Sequence, residues 1–207
     1  MTIMAVDPGN VQSGWIVCCG PDEISGSGVM DNVQMLEWIL DGGTPGFSGL
    51  DDIPAAELLA IEMMRPRGQP VSRESMATLI WIGRFIQAWA PRRHKLIERE
   101  EVKMNICGRT NVKDPNVRQA LIDRFGGDTV AIGGKKCRRC KGKGWFGPGR
   151  PTCGECSGHG WYVRPGPLHG ISGHSWPALG VAMTFYDQNH EPEDGLCEDI
   201  TRKAHPS

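Results

Sequence analysis

The sequence predicts an α/β protein: a mixed five-stranded sheet with helices on both faces, carrying a small inserted lobe built around cysteines. Three observations lead there. Short apolar runs come first as three in close succession and then alternate with helical stretches, which gives an antiparallel meander continued by further strands. Two of those runs end in an acid. One segment alone, 133–167, breaks the composition with Gly, Pro, Cys and basic side chains.

Taken in order, Thr2 to Val6 reads as an apolar strand ending in the turn signal Asp7-Pro8-Gly9-Asn10. Gly14 to Cys18 reads as a second strand and Glu23 to Met30 as a weaker third. Asp31 or Asn32 caps a helix with Val33, Leu36, Ile39 and Leu40 on its apolar side. Leu58 to Ile61 is a continuous apolar run of the buried-strand type, ending at Glu62. Ser72 caps a long helix reaching about Trp89, which Pro91 ends. Lys95 to Ile97 is a strand, Glu101 to Ile106 a short helix, and Asp114 is the N-cap of a further helix with Pro115 at its first position and Gly126-Gly127 closing it. Beyond the insertion, Trp176, Leu179, Ala182, Met183 and Tyr186 mark an amphipathic helix, and a polar tail fills 191–207. The expected organisation is a core of 1–132 and 168–190 interrupted by the lobe.

A hydrophobic share of 39% and a charged share of 23% are those of an ordinary globular chain. No apolar run approaches the roughly 20 residues of a membrane span, and no secretory signal pattern opens the chain, so a cytoplasmic location is expected. The net charge of −1 hides an asymmetry: 135–164 holds eight Lys or Arg against Glu155 alone, a segment of +7 in a remainder of −8. Such a local basic field can meet phosphates although the whole chain is nearly neutral.

Asp7 and Glu62 carry the chemistry. A carboxylate at the end of a buried strand is costly unless something pairs with it. Two such groups side by side repel, and a divalent cation relieves the repulsion. All-oxygen ligands of this kind suit Mg²⁺ or Mn²⁺, the ions of metal-assisted phosphodiester hydrolysis. On spacing alone, Asp7 also reads as a turn former and Glu62 as a surface acid.

In this order the motifs resemble the RuvC-type Holliday junction resolvases. Met4-Ala5-Val6-Asp7-Pro8-Gly9 with Ser13-Gly14-Trp15 resembles their first strand and turn, and Leu59-Ala60-Ile61-Glu62 their second acidic motif. Arg73 to Ala88 resembles the long helix that follows. Val102-Lys103, Gly108-Arg109-Thr110, Lys113, Val117-Arg118 and Leu121-Ile122 resemble a later segment, and His174-Ser175-Trp176-Pro177-Ala178-Leu179 the last helix. The resemblance implies an RNase H-like fold, hydrolysis of branched, four-way junction DNA with Mg²⁺ or Mn²⁺, and a homodimer making two symmetric cuts. It implies that Asp7 and Glu62 hold metal, with His174 as the third ligand where family members carry Asp or His. One departure stands out. The family's usual final Asp falls on Pro177, which ligates nothing, and Asp187, 13 residues past His174, is too distant to replace it. A relative that binds branched DNA without cutting it is therefore the alternative.

The lobe repeats itself. Cys137-Arg138-Arg139-Cys140-Lys141-Gly142-Lys143-Gly144 returns as Cys153-Gly154-Glu155-Cys156-Ser157-Gly158-His159-Gly160, twelve residues separating Cys140 from Cys153. Two such Cys-x-x-Cys pairs predict one tetrahedral Zn²⁺ with no open position, hence a structural ion. His159 is a weaker competing ligand. The repeat resembles the cysteine-rich region of DnaJ-type chaperones, with two copies instead of four and no J-domain pattern. Candidate DNA contacts are Arg65 and Arg67 after Glu62, then Arg109, Lys113 and Arg118, and in the lobe Lys135, Lys136, Arg138 and Arg139. Its alternative job is a solubilising or dimer-contacting one. A compact resolvase with such a lobe fits a phage or prophage recombination protein, and a zinc-dependent protein-interaction factor is a third reading.

Overall fold

The computed structural model describes residues 1–41, 53–65, 68, 70–145 and 152–189. Arg67, Cys197 and the polar tail lie outside the described residues, as does 146–151 within the lobe.

Five strands form one sheet: β1 (Ile3–Asp7), β2 (Gln12–Gly20), β3 (Glu23–Asp31), β4 (Leu58–Met63) and β5 (Arg93–Glu98), in the order β3-β2-β1-β4-β5. The first three pair antiparallel, whereas β4 lies parallel to β1 and to β5. The sheet is therefore mixed, as the apolar pattern predicts. β1 and β4 sit at its centre and are buried on both faces, which is why both read as continuous apolar runs rather than alternating ones.

Strand parity divides the core in two. On one face Met4, Val6, Leu59 and Ile61 pack against α1 (Asn32–Leu40) and α2 (Arg73–Trp89), through Met35, Trp38, Ile82, Phe85 and Trp89. On the other, Ile3, Ala5, Leu58 and Ala60 meet α3 (Arg99–Cys107), α4 (Asp114–Arg124) and α5 (Ser175–Asn189). Asp7 and Glu62 continue this second row, since side chains two residues apart share a face.

Several helix starts follow the expected caps. Asp31 accepts from the Val33 N–H at 2.8 Å, and Ser72 from the Ser75 N–H at 3.1 Å. Two starts differ. In α4 the N-cap position falls on Lys113, whose side chain makes no capping hydrogen bond, and Asp114 and Pro115 lie in the first turn. α3 begins at Arg99, two residues before the expected Glu101, because Glu98 and Glu101 form a reciprocal capping box. α5 differs more: rather than amphipathic, it is buried nearly all round, Gly180, Val181 and Thr184 included. It is held between the sheet and α3, so every side of it finds protein.

A π-helical turn at Asp128–Ile132 leads into the two-stranded β6 (Gly133–Lys136) and β7 (Trp161–Pro165), which pair antiparallel at the base of the cysteine lobe. Among the described residues no helix is long and apolar enough to cross a membrane.

Candidate active site and cysteine lobe

The last β1–β4 register pair is Val6 with Ile61, so Asp7 and Glu62 emerge side by side at the same ends of two central parallel strands. Both are buried, at 9% and 6% exposure. The turn after β1 is pinned from behind: Ser13 Oγ donates to Asn32 Oδ1 at 2.6 Å, and Asn32 Nδ2 donates to the Gly9 carbonyl at 3.0 Å.

His174 arrives from the opposite end of the chain. Its Nδ1 lies 3.2 Å from Asp7 Oδ2. Two features bring it there. Ser175 Oγ donates to the Gly28 carbonyl at 2.8 Å, tying the start of α5 to β3. Gly14, the register partner of Asp7, leaves room that a side chain would fill, since a Cβ there would sit 2.1 Å from the His174 carbonyl oxygen.

Glu62 has a partner that the sequence analysis did not single out. Arg99 Nη1 donates to Glu62 Oε1 at 2.6 Å, while Arg99 Nη2 meets Asp114 Oδ1 at 2.7 Å. One guanidinium thus bridges a buried carboxylate and an exposed one. The other carboxylate oxygen, Glu62 Oε2, is buried without a hydrogen-bond partner among the described residues. A buried carboxylate oxygen left so is costly unless a cation meets it.

Electrostatics agree with that cost. Burial, and then the neighbouring Glu62, push the Asp7 carboxyl from the ordinary 3.8 up to about 7, with Arg99 and His174 pulling the other way. Burial also raises Glu62, against the lowering effect of Arg99. For Arg99, burial acts to lower the pKa, but Glu62 and Asp114 outweigh it and the guanidinium is held charged.

A cavity of about 460 Å³ opens beside Glu62 and His174, and Arg99, Lys103, Asp114, Arg118, Trp176 and Pro177 also line it. A second, of about 290 Å³, adjoins it through Glu62, Arg99 and Lys103 and reaches Arg65 and Glu98. An acidic floor with a basic rim is the layout that a phosphodiester bridged to a cation would fit.

The fold is shared with RuvC. The structure of Thermus thermophilus RuvC matches with a TM-score of 0.54 at 14% identity, covering 91% of this chain and 96% of that one. T. thermophilus RuvC in complex with Holliday junction substrate matches with a TM-score of 0.49, also at 14% identity, over 89% and 92% of the two chains. No family model matches the sequence. No match is found among curated proteins either. The likeness to RuvC is thus one of fold: an RNase H-like sheet with helices on both faces.

Set against the RuvC-type pattern, Pro177 stands on the cavity wall and offers no ligand. Asp187 is engaged elsewhere, with Arg124 at 2.6 Å and Asn105 at 2.6 Å. Of the expected DNA contacts, Arg65 pairs with Glu98 at 3.2 Å and the Arg118 guanidinium lies 4.7 Å from the Trp176 ring centre. Arg109 and Lys113 are exposed on the link between α3 and α4. Two cationic residues went unassigned, Arg99 and Lys103. Their separation by four on one helix puts them on one face, and that spacing was the available signal.

In the lobe the four cysteines are buried and their sulfurs all lie within 4.8 Å of one another. Cys137 and Cys153 Sγ are 3.8 Å apart, Cys140 and Cys156 Sγ 3.7 Å. A tetrahedron of Zn–S bonds near 2.3 Å has sulfur–sulfur edges of about 3.8 Å, far beyond the roughly 2.05 Å of a disulfide. The two knuckles are near-copies. Gly144 N–H donates to Cys140 Sγ and Gly160 N–H to Cys156 Sγ, each at 3.2 Å. Both glycines have positive φ, and a Cβ on either would strike the other repeat's backbone. Sulfurs so spaced and so hydrogen-bonded fit one Zn²⁺. Among the described residues this is the one group of three or more His, Cys, Asp or Glu with ligand atoms that close together. Lys135, Lys136, Arg138 and Arg139 are exposed around it. Arg139 stands 3.6 Å from Glu155, and Lys136 Nζ is 5.6 Å from the Trp161 ring centre.

Proposed function

We propose that this protein is a metal-dependent endonuclease that cuts branched DNA, with a four-way junction as its substrate class. The observation that carries this is Asp7 and Glu62 on neighbouring strand ends, with His174 against Asp7 and a buried Glu62 oxygen that has no hydrogen-bond partner among the described residues. The fold shared with RuvC supports it. So does the cationic rim of Arg65, Lys103 and Arg118.

The donor set fits a divalent ion. Carboxylates suit Mg²⁺ and Mn²⁺ alike, while the imidazole of His174 shifts the preference toward Mn²⁺. Held by Asp7, Glu62 and His174, such an ion would supply Lewis-acid chemistry to the phosphodiester. Asp7 and Glu62 hold and orient, and Arg99 and Lys103 on the cavity wall draw in the phosphate. Hydrolysis adds water across one P–O bond: the water oxygen bonds phosphorus, the bond to the sugar oxygen breaks, and that oxygen takes up a proton. The lobe, ordered by zinc, holds a DNA arm through Lys135, Lys136, Arg138 and Arg139, and a homodimer would pair two such sites across a twofold junction.

The test is a synthetic four-way junction incubated with the protein and Mn²⁺ or Mg²⁺. Cutting, stronger with Mn²⁺ and abolished by Asp7→Asn, is expected. Tight junction binding without cleavage under either ion would favour the second reading, a branched-DNA binder that lost its chemistry; Pro177 on the cavity wall is the observation in its favour.

A further inference from the structure

We infer that Arg99 supplies the second positive charge of the reaction centre, so that the site works with one divalent ion and a guanidinium in place of two ions. This rests on the nuclease reading above and goes further by assigning a residue and an ion count.

Charge comes first. Asp7, Glu62 and Asp114 bring three carboxylates, and Arg99 brings one fixed positive charge. The cluster is then left at minus two, which one divalent ion neutralises. A second ion would leave the protein site two positive charges in excess before DNA binds, beside Lys103, which lines the same cavity. A two-ion site would need further acidic oxygens, and on this wall Pro177 has none to give.

Geometry comes next. Arg99 Nη1 holds Glu62 Oε1 at 2.6 Å and competes with a metal ion for that oxygen. The other oxygen, Oε2, has no hydrogen-bond partner among the described residues. Asp114 grips the other end of the guanidinium at 2.7 Å, so the cation is clamped between β4 and the first turn of α4. It is nevertheless reachable: its side chain is 37% exposed and lines both cavities. A guanidinium carries five N–H donors in a fixed fork, which leaves donors over for a phosphate oxygen after the two carboxylates are served. A fixed cation already oriented toward developing phosphate charge costs little reorganisation during reaction. Asp114 is then a positioning residue, acting through Arg99.

The experiment counts ions and cuts separately, on the full-length zinc-loaded protein. Mn²⁺ is titrated in by calorimetry and by the electron paramagnetic resonance signal of free Mn²⁺, and four-way junction cleavage is measured alongside. One Mn²⁺ per chain beyond the zinc, lost in Asp7→Asn, is expected. Arg99→Ala should keep that single ion yet cleave about 100- to 1,000-fold more slowly, as for loss of one preorganised donor. Guanidinium ion added at millimolar concentration should restore part of the rate, which a purely structural role would not permit. Should Arg99→Ala fail to fold, the wild-type ion count and Arg99→Lys, which keeps the charge and loses the fork, decide the matter; the lysine variant should retain the ion and lose most of the rate. Cleavage by a wild type that holds two Mn²⁺ per chain, or undiminished cleavage by the Arg99 variants, overturns the assignment of Arg99 and leaves the nuclease intact. A wild type that binds Mn²⁺ and cuts nothing overturns the nuclease itself, and Arg99 as its catalytic residue with it.

Discussion

Replacing Asp7 by Asn should make the metal-free protein more stable at neutral and alkaline pH while destroying the proposed divalent site. The magnitude follows from the burial of the group. In the fold the Asp7 carboxyl is raised from 3.8 to about 7, chiefly by burial and by Glu62. At about 1.4 kcal/mol per pK unit, ionising it inside the fold costs about 4 kcal/mol more than in the open chain. The sign is fixed by proton count. Between those two values the folded chain keeps a proton that the unfolded chain has lost, so stability falls as pH rises and levels off above about pH 7. From about pH 5 to about pH 8 the wild type should therefore lose roughly 3 kcal/mol that Asp7→Asn does not lose, or roughly 6–12 °C in Tm for a chain this long. Urea and thermal melts at both pH values, in buffer free of Mg²⁺ and Mn²⁺ with the zinc retained, measure it. Adding Mn²⁺ should then restore the wild type at about pH 8 and leave the variant unmoved. Parallel pH dependences for the two proteins would refute the claim that the fold penalises ionisation of Asp7 in the absence of a cation.

Two further outcomes are expected. Stripping zinc should melt the lobe, seen as rapid amide exchange across β6, β7 and the knuckles, while β1–β5 stay protected; loss of the entire cooperative transition would show that the lobe is part of the core instead. Gly14→Ala should push the His174 backbone off β2 and weaken Mn²⁺ binding by about 10- to 100-fold, as losses of supporting structure around metal ligands do; calorimetry showing unchanged affinity would remove His174 from the ligand set.

Much of this molecule is written locally in its sequence. Apolar runs locate the strands because a strand buried on both faces admits little else, and the acids that end two of them are visible at once. The paired Cys-x-x-Cys repeats fix a tetrahedral site because each knuckle is a short, self-contained turn whose glycines face the other copy. The meander is legible because its connections are short. Even Asp7 and Glu62 sharing a face is a matter of strand parity, once Val6 is known to pair with Ile61.

That register, however, is a pairing across more than fifty residues of chain, and no local pattern carries it. The same holds for what surrounds the acids. Arg99 looks like one more charge at the start of a short helix; only the placement of β5 beside β4 lets its guanidinium reach Glu62, and only the docking of α4 brings Asp114 to its far side. Gly14 is unremarkable until α5 crosses it, and α5 reads as amphipathic because a sequence shows one helix's periodicity but not how many neighbours will enclose it. The sequence alone determined the five strands of the main sheet, the two acids and the two Cys-x-x-Cys knuckles, since each depends on neighbours a few residues away. Only the tertiary structure decided which cation faces Glu62 and which backbone carries His174 to Asp7, since those contacts form between segments whose relative positions are set by packing of the whole core.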